Sequence, residues 1–236
     1  MKTLFLLLLL FTFSQQNPEK MVLVSNPDLG YDFWIDTHEV TMAEFERFQL
    51  ATGYQTTCER RGTGPKATGT SPSELFEGLN WRHDQDGKLI AKKWYDKLPV
   101  TRVSLNDIKA YAKWAGKRLP TVREWKIAAA GGVWPPIYKY SGSNKANRVG
   151  WFDSNSKMEI QPIGTLEPNQ LGIYDMSGNV EEFALLEKNG EVYNRIGGRF
   201  FSDKDHMAIE DDYSFDIKDP EYCSAFFGFR LVKDVD

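Results

Sequence analysis

The stretch Leu171–Phe183, LGIYDMSGNVEEF, constrains this chain more than any other, because it sets turn-forming residues and carboxylates inside apolar sequence. Ile173 and Tyr174 suit a half-buried pleated surface, and Ser177, Gly178 and Asn179 then supply turn chemistry, so a strand is expected to run into a tight loop. In that loop Asp175 and Glu182 offer side-chain oxygens, and Gly178 lets the backbone fold closely enough to turn carbonyls inward. A hard cation such as calcium accepts that set of donors. The plainer reading is an acidic hairpin tip in water. Spacing alone favours it, since a calcium site needs six or more oxygens and exposed carboxylates on turns are ordinary.

Such a loop needs a scaffold, and 236 residues with 41% apolar and 14% aromatic content suffice for one large domain with a real core. The net charge of −4, without a clustered Lys/Arg run, argues against a nucleic-acid surface. The first residues, MKTLFLLLLLFTFSQQ, place one charge at Lys2 before an apolar run from Leu4 to Phe13 and a polar exit. That run is too short to span a bilayer and reads as a signal peptide over 1–16, which leaves 17–236 as the exported domain with no transmembrane anchor. The alternative is an uncleaved anchor held at the interface. Cys58 and Cys223 are the two cysteines. They are either a disulfide, which would stabilise by about 2–4 kcal/mol in an oxidising compartment, or two isolated buried thiols.

Met21–Ile35 reads as two short strands around Ser25-Asn26-Pro27-Asp28. Three helices follow the same grammar. Thr41 with Glu44 opens the first, which Gly53 stops; Ser104 opens the second, which ends at Gly116; Thr121 with Glu124 opens the third, which ends at Gly131-Gly132. The polar stretch Cys58–Lys97 lacks periodicity but carries Trp81, Trp94 and Tyr95, so an ordered irregular region is expected there. After Trp134-Pro135-Pro136 short apolar groups alternate with turn formers. The order hairpin, helices, irregular β fits one α+β domain. The sequence holds no phosphate-binding Gly loop, no G-x-S-x-G elbow and no His pair at helical spacing.

Seven runs in order resemble one family over nearly the whole expected domain: FWIDTHEVT (33–41), GLNWR (78–82), LPVTRVSLND (98–107), WAGKRLPTVREW (114–125), NQLGIYDMSGNVEE (169–182), GG (197–198) and GFR (228–230). The family is the formylglycine-generating enzyme, or sulfatase-modifying factor, domain. The resemblance implies its variant of the C-type lectin-like fold, rich in irregular structure and steadied by calcium. It implies one calcium held by the side chains of Asp175 and Glu182 with the backbone oxygens of Gly178 and Val180. A second would fall on Asn147 and Arg148 with Asn155 and Lys157 opposite, where Asn155 replaces a family Asp and so removes one anionic ligand.

Active members of this family oxidise a substrate cysteine to formylglycine with dioxygen at copper(I) bound by two cysteines. In this chain Ser202 and Met207 occupy the positions of those cysteines, Arg199 that of an active-site Ser, and Glu181 that of a Trp. A hydroxyl and a thioether do not reproduce a bis-thiolate, so copper chemistry is expected to be absent and no catalytic residue is assigned. His206 with Asp203, Asp205 and Met207 is the place to look for an unanticipated metal; the plain alternative is a solvated acidic loop. The expected role is recognition of another envelope or secreted protein, or of a surface ligand, through Arg199–Ala225 with its aromatics Phe200, Phe201, Tyr213, Phe215, Tyr222, Phe226 and Phe227. The alternatives are an oxidase with a rearranged site at Cys223, Met207 or His206, and a maturation factor for a redox enzyme.

Overall fold

Short runs of β-branched and aromatic residues on either side of an Asn-Pro turn make a hairpin of the strands β1 (Met21–Asn26) and β2 (Tyr31–Asp36), joined by a 3-10 turn over Pro27–Leu29. This computed structural model describes residues 20–66, 74–188, 192–211 and 219–235. The expected leader and the aromatics Tyr213 and Phe215 lie outside the described residues.

All three expected helices are present, α1 (Met42–Thr52), α3 (Leu105–Ala115) and α4 (Val122–Ala129), and each opens on a capping box at Thr41, Ser104 and Thr121. A fourth, α2 (Thr57–Arg61), uses the same device with Thr56 and Glu59, inside the stretch expected to be irregular. Each cap is worth about 1 kcal/mol. A short hairpin of β3 (Thr63–Pro65) and β4 (Leu75–Glu77) follows α2, and a single turn, α5 (Ala146–Val149), interrupts the second half.

β8 (Val232–Asp234) joins the opening hairpin antiparallel to β2. A second three-stranded sheet centres on β5 (Glu181–Leu185), with β6 (Tyr193–Ile196) antiparallel on one side and β7 (Phe227–Gly228) parallel on the other. The strand therefore follows the acidic turn, correcting the expected order. Ile173 and Tyr174 lie in irregular backbone after a turn at Gln170–Leu171, because Asn169 holds that stretch through its amide oxygen, which accepts from Leu171 N and Ile173 N.

Two apolar cores flank β5. Phe45, Phe48, Tyr111, Trp81, Phe183 and Phe229 belong to one, and Phe33, Ile35, Trp125, Ile173, Ala184 and Val232 to the other. Side chains on a strand alternate between faces, so Phe183 and Ala184 enter different cores and their predecessors Glu181 and Glu182 likewise diverge. The irregular region is held by Arg102, fully buried, whose guanidinium donates to the carbonyls of Pro65 (2.7 Å), His83 (2.6 Å) and Gln85 (3.2 Å). Among the described residues no helix is long and apolar enough to cross a membrane.

Candidate functional site: a sealed carboxylate cluster and an open pocket

Glu182 leaves β5 on the side of Trp125. Arg230 meets it with Nη2 2.7 Å from Oε1 and Nε 2.8 Å from Oε2, and Trp125 Nε1 donates to Oε2 at 2.8 Å. Both partners are sealed from water, at 0% and 1% side-chain exposure. Glu39 and Asp175 stand beside this pair. Asn179 Nδ2 donates to Glu39 Oε1 at 3.0 Å, while Glu39 Oε2 is buried without a hydrogen-bond partner among the described residues. Asp175 sits in the left-handed region at φ 57°, and its Oδ2 accepts from Gly164 N at 2.7 Å. Burial, opposed by Arg230 and by the Gly164 bond, pushes Asp175 up to about 6. Burial, and next the Asp175 carboxylate, push Glu39 well above the usual carboxylate range.

The acidic turn is thus buried, and it is no hairpin tip in water. Three carboxylates share one guanidinium in a space closed to water, an arrangement short of positive charge that a proton or a cation would balance. A calcium ion at the Asp175 carboxylate would supply that charge, although among the described residues no three His, Cys, Asp or Glu side chains converge as metal ligands, so backbone carbonyls would have to complete the set. Among the described residues no hydrogen bond reaches the Gly178 or Val180 carbonyl. Glu182 is already engaged by Arg230 and Trp125, and Glu39 is the acid that sequence reasoning missed. Its signal was present in FWIDTHEVT, as the one acid next to a β-branched pair of core and cap residues, but nothing local ties residue 39 to residue 179.

The second expected set is arranged differently. Asn147 and Arg148 lie exposed on α5, the Arg148 carbonyl accepts from Glu167 N, and the Arg148 side chain pairs with Glu167. Asn155 closes its own loop, its Oδ1 accepting from Phe152 N at 2.8 Å and its Nδ2 donating to Gly150 O at 2.9 Å. These residues bring no carboxylate, so the set is a poor fit for a hard dication.

On the opposite face of β5, Glu181 is shared by two guanidiniums. Arg195 Nη1 and Arg199 Nη1 each stand 3.1 Å from its Oε2. Burial raises the Glu181 carboxyl, and Arg199 and Arg195 oppose the rise. These groups line a pocket of about 240 Å³ together with Gly197, Gly198, Phe201, Ser202, Asp203, His206 and Asp211. Arg199 lies over the Phe201 ring at 4.2 Å, and Arg195 over Phe227 at 4.9 Å.

Ser202 reaches this pocket, where its Oγ accepts from Arg199 N at 3.2 Å. Met207 does not line it. Its side chain is fully buried with Tyr140, Val149 and Phe152, and Ser177 Oγ donates to its carbonyl at 3.0 Å. The two positions matched to the family's copper ligands therefore carry one hydroxyl at the pocket and one thioether in a separate small core. The Asp203–Met207 group does not converge either. Asp203 caps its own 3-10 turn and bonds His206 Nδ1 at 2.8 Å, and Asp205 pairs with Lys139. Of the expected recognition aromatics, Phe200 and Phe227 are core residues, while Phe201, Tyr222 and Phe226 are partly exposed.

The family model for the sulfatase-modifying factor enzyme 1-like domain matches residues 11–235. Mouse formylglycine-generating enzyme is 33% identical over 181 residues, covering 64% of this chain and 48% of that protein. The bovine protein named inactive C-alpha-formylglycine-generating enzyme 2 is 34% identical over 182 residues, covering 66% and 60%. The chain thus spans about half the length of the curated relatives it matches. The solved structure of PvdO from Pseudomonas aeruginosa superposes with a TM-score of 0.63 at 20% identity, covering 91% of this chain and 90% of that one, which speaks for the fold. With the motif order, the strand-centred cores and the matched span together, this chain belongs to the sulfatase-modifying factor family and has the formylglycine-generating-enzyme variant of the C-type lectin-like fold.

Proposed function

We propose that this chain is a non-catalytic, exported member of its family that binds another envelope or secreted protein, or a surface ligand, through the pocket beside Glu181. The observation that carries this reading is the fate of the two copper positions: Ser202 at the pocket wall and Met207 inside a small core. Soft Cu(I) requires paired sulfur donors, and these two residues do not supply them. What remains is a cavity with two guanidiniums, three carboxylates and an aromatic wall, a mixture suited to recognition. The leader-like first 16 residues and the inactive relative support the reading.

Calcium belongs to the same proposal as a structural ion. The Asp175 carboxylate and the Gly178 and Val180 carbonyls would hold it, and it would supply the positive charge that Glu39 and Asp175 lack. A second reading, an oxidase with a rearranged site, draws on Cys223, a buried free thiol with the free thiol of Cys58 nearby. Metal analysis of the purified full chain, with a cysteine-peptide oxidation assay, separates the two. Calcium without copper and no turnover is the expected result; stoichiometric copper with turnover overturns it. Capture on immobilised Arg199→Ala and Phe201→Ala variants should lose the partner that the unaltered chain retains.

A further inference from the structure

Cys58 lies in α2 and Cys223 in the segment leading to β7, and both segments are fastened around the start of α3. Arg61 donates to the Glu221 carbonyl at 3.2 Å and to Glu221 Oε2 at 2.6 Å, which ties the end of α2 to the chain two residues before Cys223. Thr57 N donates to Asp107 Oδ1 at 2.9 Å, and the Thr57 and Ser104 hydroxyls meet at 2.8 Å. On the other strand of the clamp, Asn106 N donates to Pro220 O at 3.1 Å and Arg102 N to Ser224 O at 2.8 Å. Each cysteine is thus held between anchored neighbours. The two free thiols lie near each other there, Cys223 Sγ donating to the Glu221 carbonyl at 3.6 Å, with the residues at 2% and 6% exposure.

A buried thiol pair of this kind has two chemical outlets, a soft metal or a bond between the sulfurs. Metal binding requires thiolates, which form beside positive charge and partial exposure. Here the neighbouring sulfur and burial both hold the Cys223 proton on, and the two cations near the pair are already engaged, Arg61 with Glu221 and Arg102 with the carbonyls of Pro65, His83 and Gln85. Bond formation makes no such demand, because it removes both protons and leaves a neutral apolar group in an apolar place. The closed loop would run through most of the domain, where a cross-link restricts the unfolded chain strongly.

We propose that Cys58 and Cys223 are joined by a disulfide in the oxidised protein, clamping the segment that carries Tyr222, Phe226 and Phe227 to α2 behind the Glu181 pocket. The oxidant is a disulfide of the glutathione or protein type. One cysteine, as thiolate, attacks it and releases the first carrier thiol, and the second displaces the second. Two protein thiols and one carrier disulfide thereby give one protein disulfide and two carrier thiols, which take the two protons. Burial makes exchange slow in the folded chain and fast while it folds. The proposal does not depend on the recognition role.

The test uses the full chain refolded in glutathione buffers from fully reduced to fully oxidised, then denatured and alkylated. In oxidising buffer we expect a mass two hydrogens below the dithiol form, no alkylation, and a cross-linked peptide containing both cysteines. Reduction should lower the folded-to-unfolded ratio about 30-fold or more in urea titrations. Cys58→Ser and Cys223→Ser should each match the reduced protein in stability and lack the cross-linked peptide. Two alkylated thiols in the most oxidising buffer would overturn the proposal. So would one Cu(I) per reduced chain that disappears in Cys58→Ser, which would mark the pair as a metal site. The mass measurement on the unaltered chain decides even if a variant fails to fold.

Discussion

Glu181 and Glu182 are neighbours on one strand, and the alternation of β5 sends them to two different kinds of place. Glu182 meets a single guanidinium along its Nε–Nη2 side, with a Trp N–H on the same carboxylate and both side chains closed to solvent. Glu181 meets two guanidiniums through one oxygen, and its partners retain 13% and 25% side-chain exposure at the edge of a cavity. Around Glu182 carboxylates outnumber guanidiniums; Glu181 itself is met by two guanidiniums, with Asp203, His206 and Asp211 elsewhere on the cavity wall. A sealed pair with filled acceptor sites fixes the scaffold and cannot rearrange without exposing a bare charge. A pair that borders a cavity can exchange one partner for a ligand group, and that difference is what the proposed division of β5 into a scaffold face and a recognition face rests on.

The comparison breaks most readily at Arg230. Arg230→Ala leaves Glu182 buried without its counter-ion beside two further acids, and urea unfolding should show a loss of about 3–5 kcal/mol. A loss under about 1 kcal/mol would put both carboxylates in the same class. The next effect is pH-linked. Asp175 is raised in the folded chain to about 6 from an ordinary value of 3.8, so the folded state binds the proton more tightly than the unfolded one. Stability without calcium is therefore fully present below pH 4 and declines as the pH rises through 6, by roughly 3 kcal/mol. The difference between the unaltered chain and Asp175→Asn, measured in chelator from pH 4 to 7, isolates that decline from other acids. Calcium at 100 times its Kd should restore about 2.7 kcal/mol at pH 7 in the unaltered chain and little in Asp175→Asn. A flat pH difference and no calcium response would remove the ion from this cluster.

The elements with local rules were legible in the sequence: the opening hairpin and the boxes at Thr41, Ser104 and Thr121 rest on residues within four positions of one another. The box at Thr56 obeys the same rule but opens a five-residue helix with no apolar stripe, so periodicity gave no reason to look there. The site was legible in part. Asp175 and Glu182 stand out in a turn-rich run, yet their burial depends on Arg230 and Glu39, which come from opposite ends of the chain. The motif runs GFR and FWIDTHEVT contain both residues, but no spacing rule joins residue 39, 179 and 230. The contact between Cys58 and Cys223 was likewise beyond reach, because it is made by the fastening of two loops on α3.

The smallest expected effect is the most discriminating, because it concerns function more than folding. Glu181→Gln keeps the shape of the side chain and one oxygen for Arg195 and Arg199, and it removes a carboxylate whose burial already disfavours its charge. The guanidiniums keep their ring contacts with Phe227 and Phe201. Loss of the ionic part of two 3.1 Å contacts should therefore cost about 1 kcal/mol in urea, well below the cost at Arg230. Its effect on recognition should be larger and of definite sign. Without the carboxylate the two guanidiniums present more positive charge to the cavity, so a bound acidic group is retained more tightly and a basic one more weakly, and the change should shrink as salt is raised. Titration of acidic and basic peptides against Glu181→Gln, with Glu182→Gln as the comparison, reads this directly. A shift in affinity at Glu182→Gln that equals the shift at Glu181→Gln would mean that the two faces of β5 are not divided between scaffold and recognition.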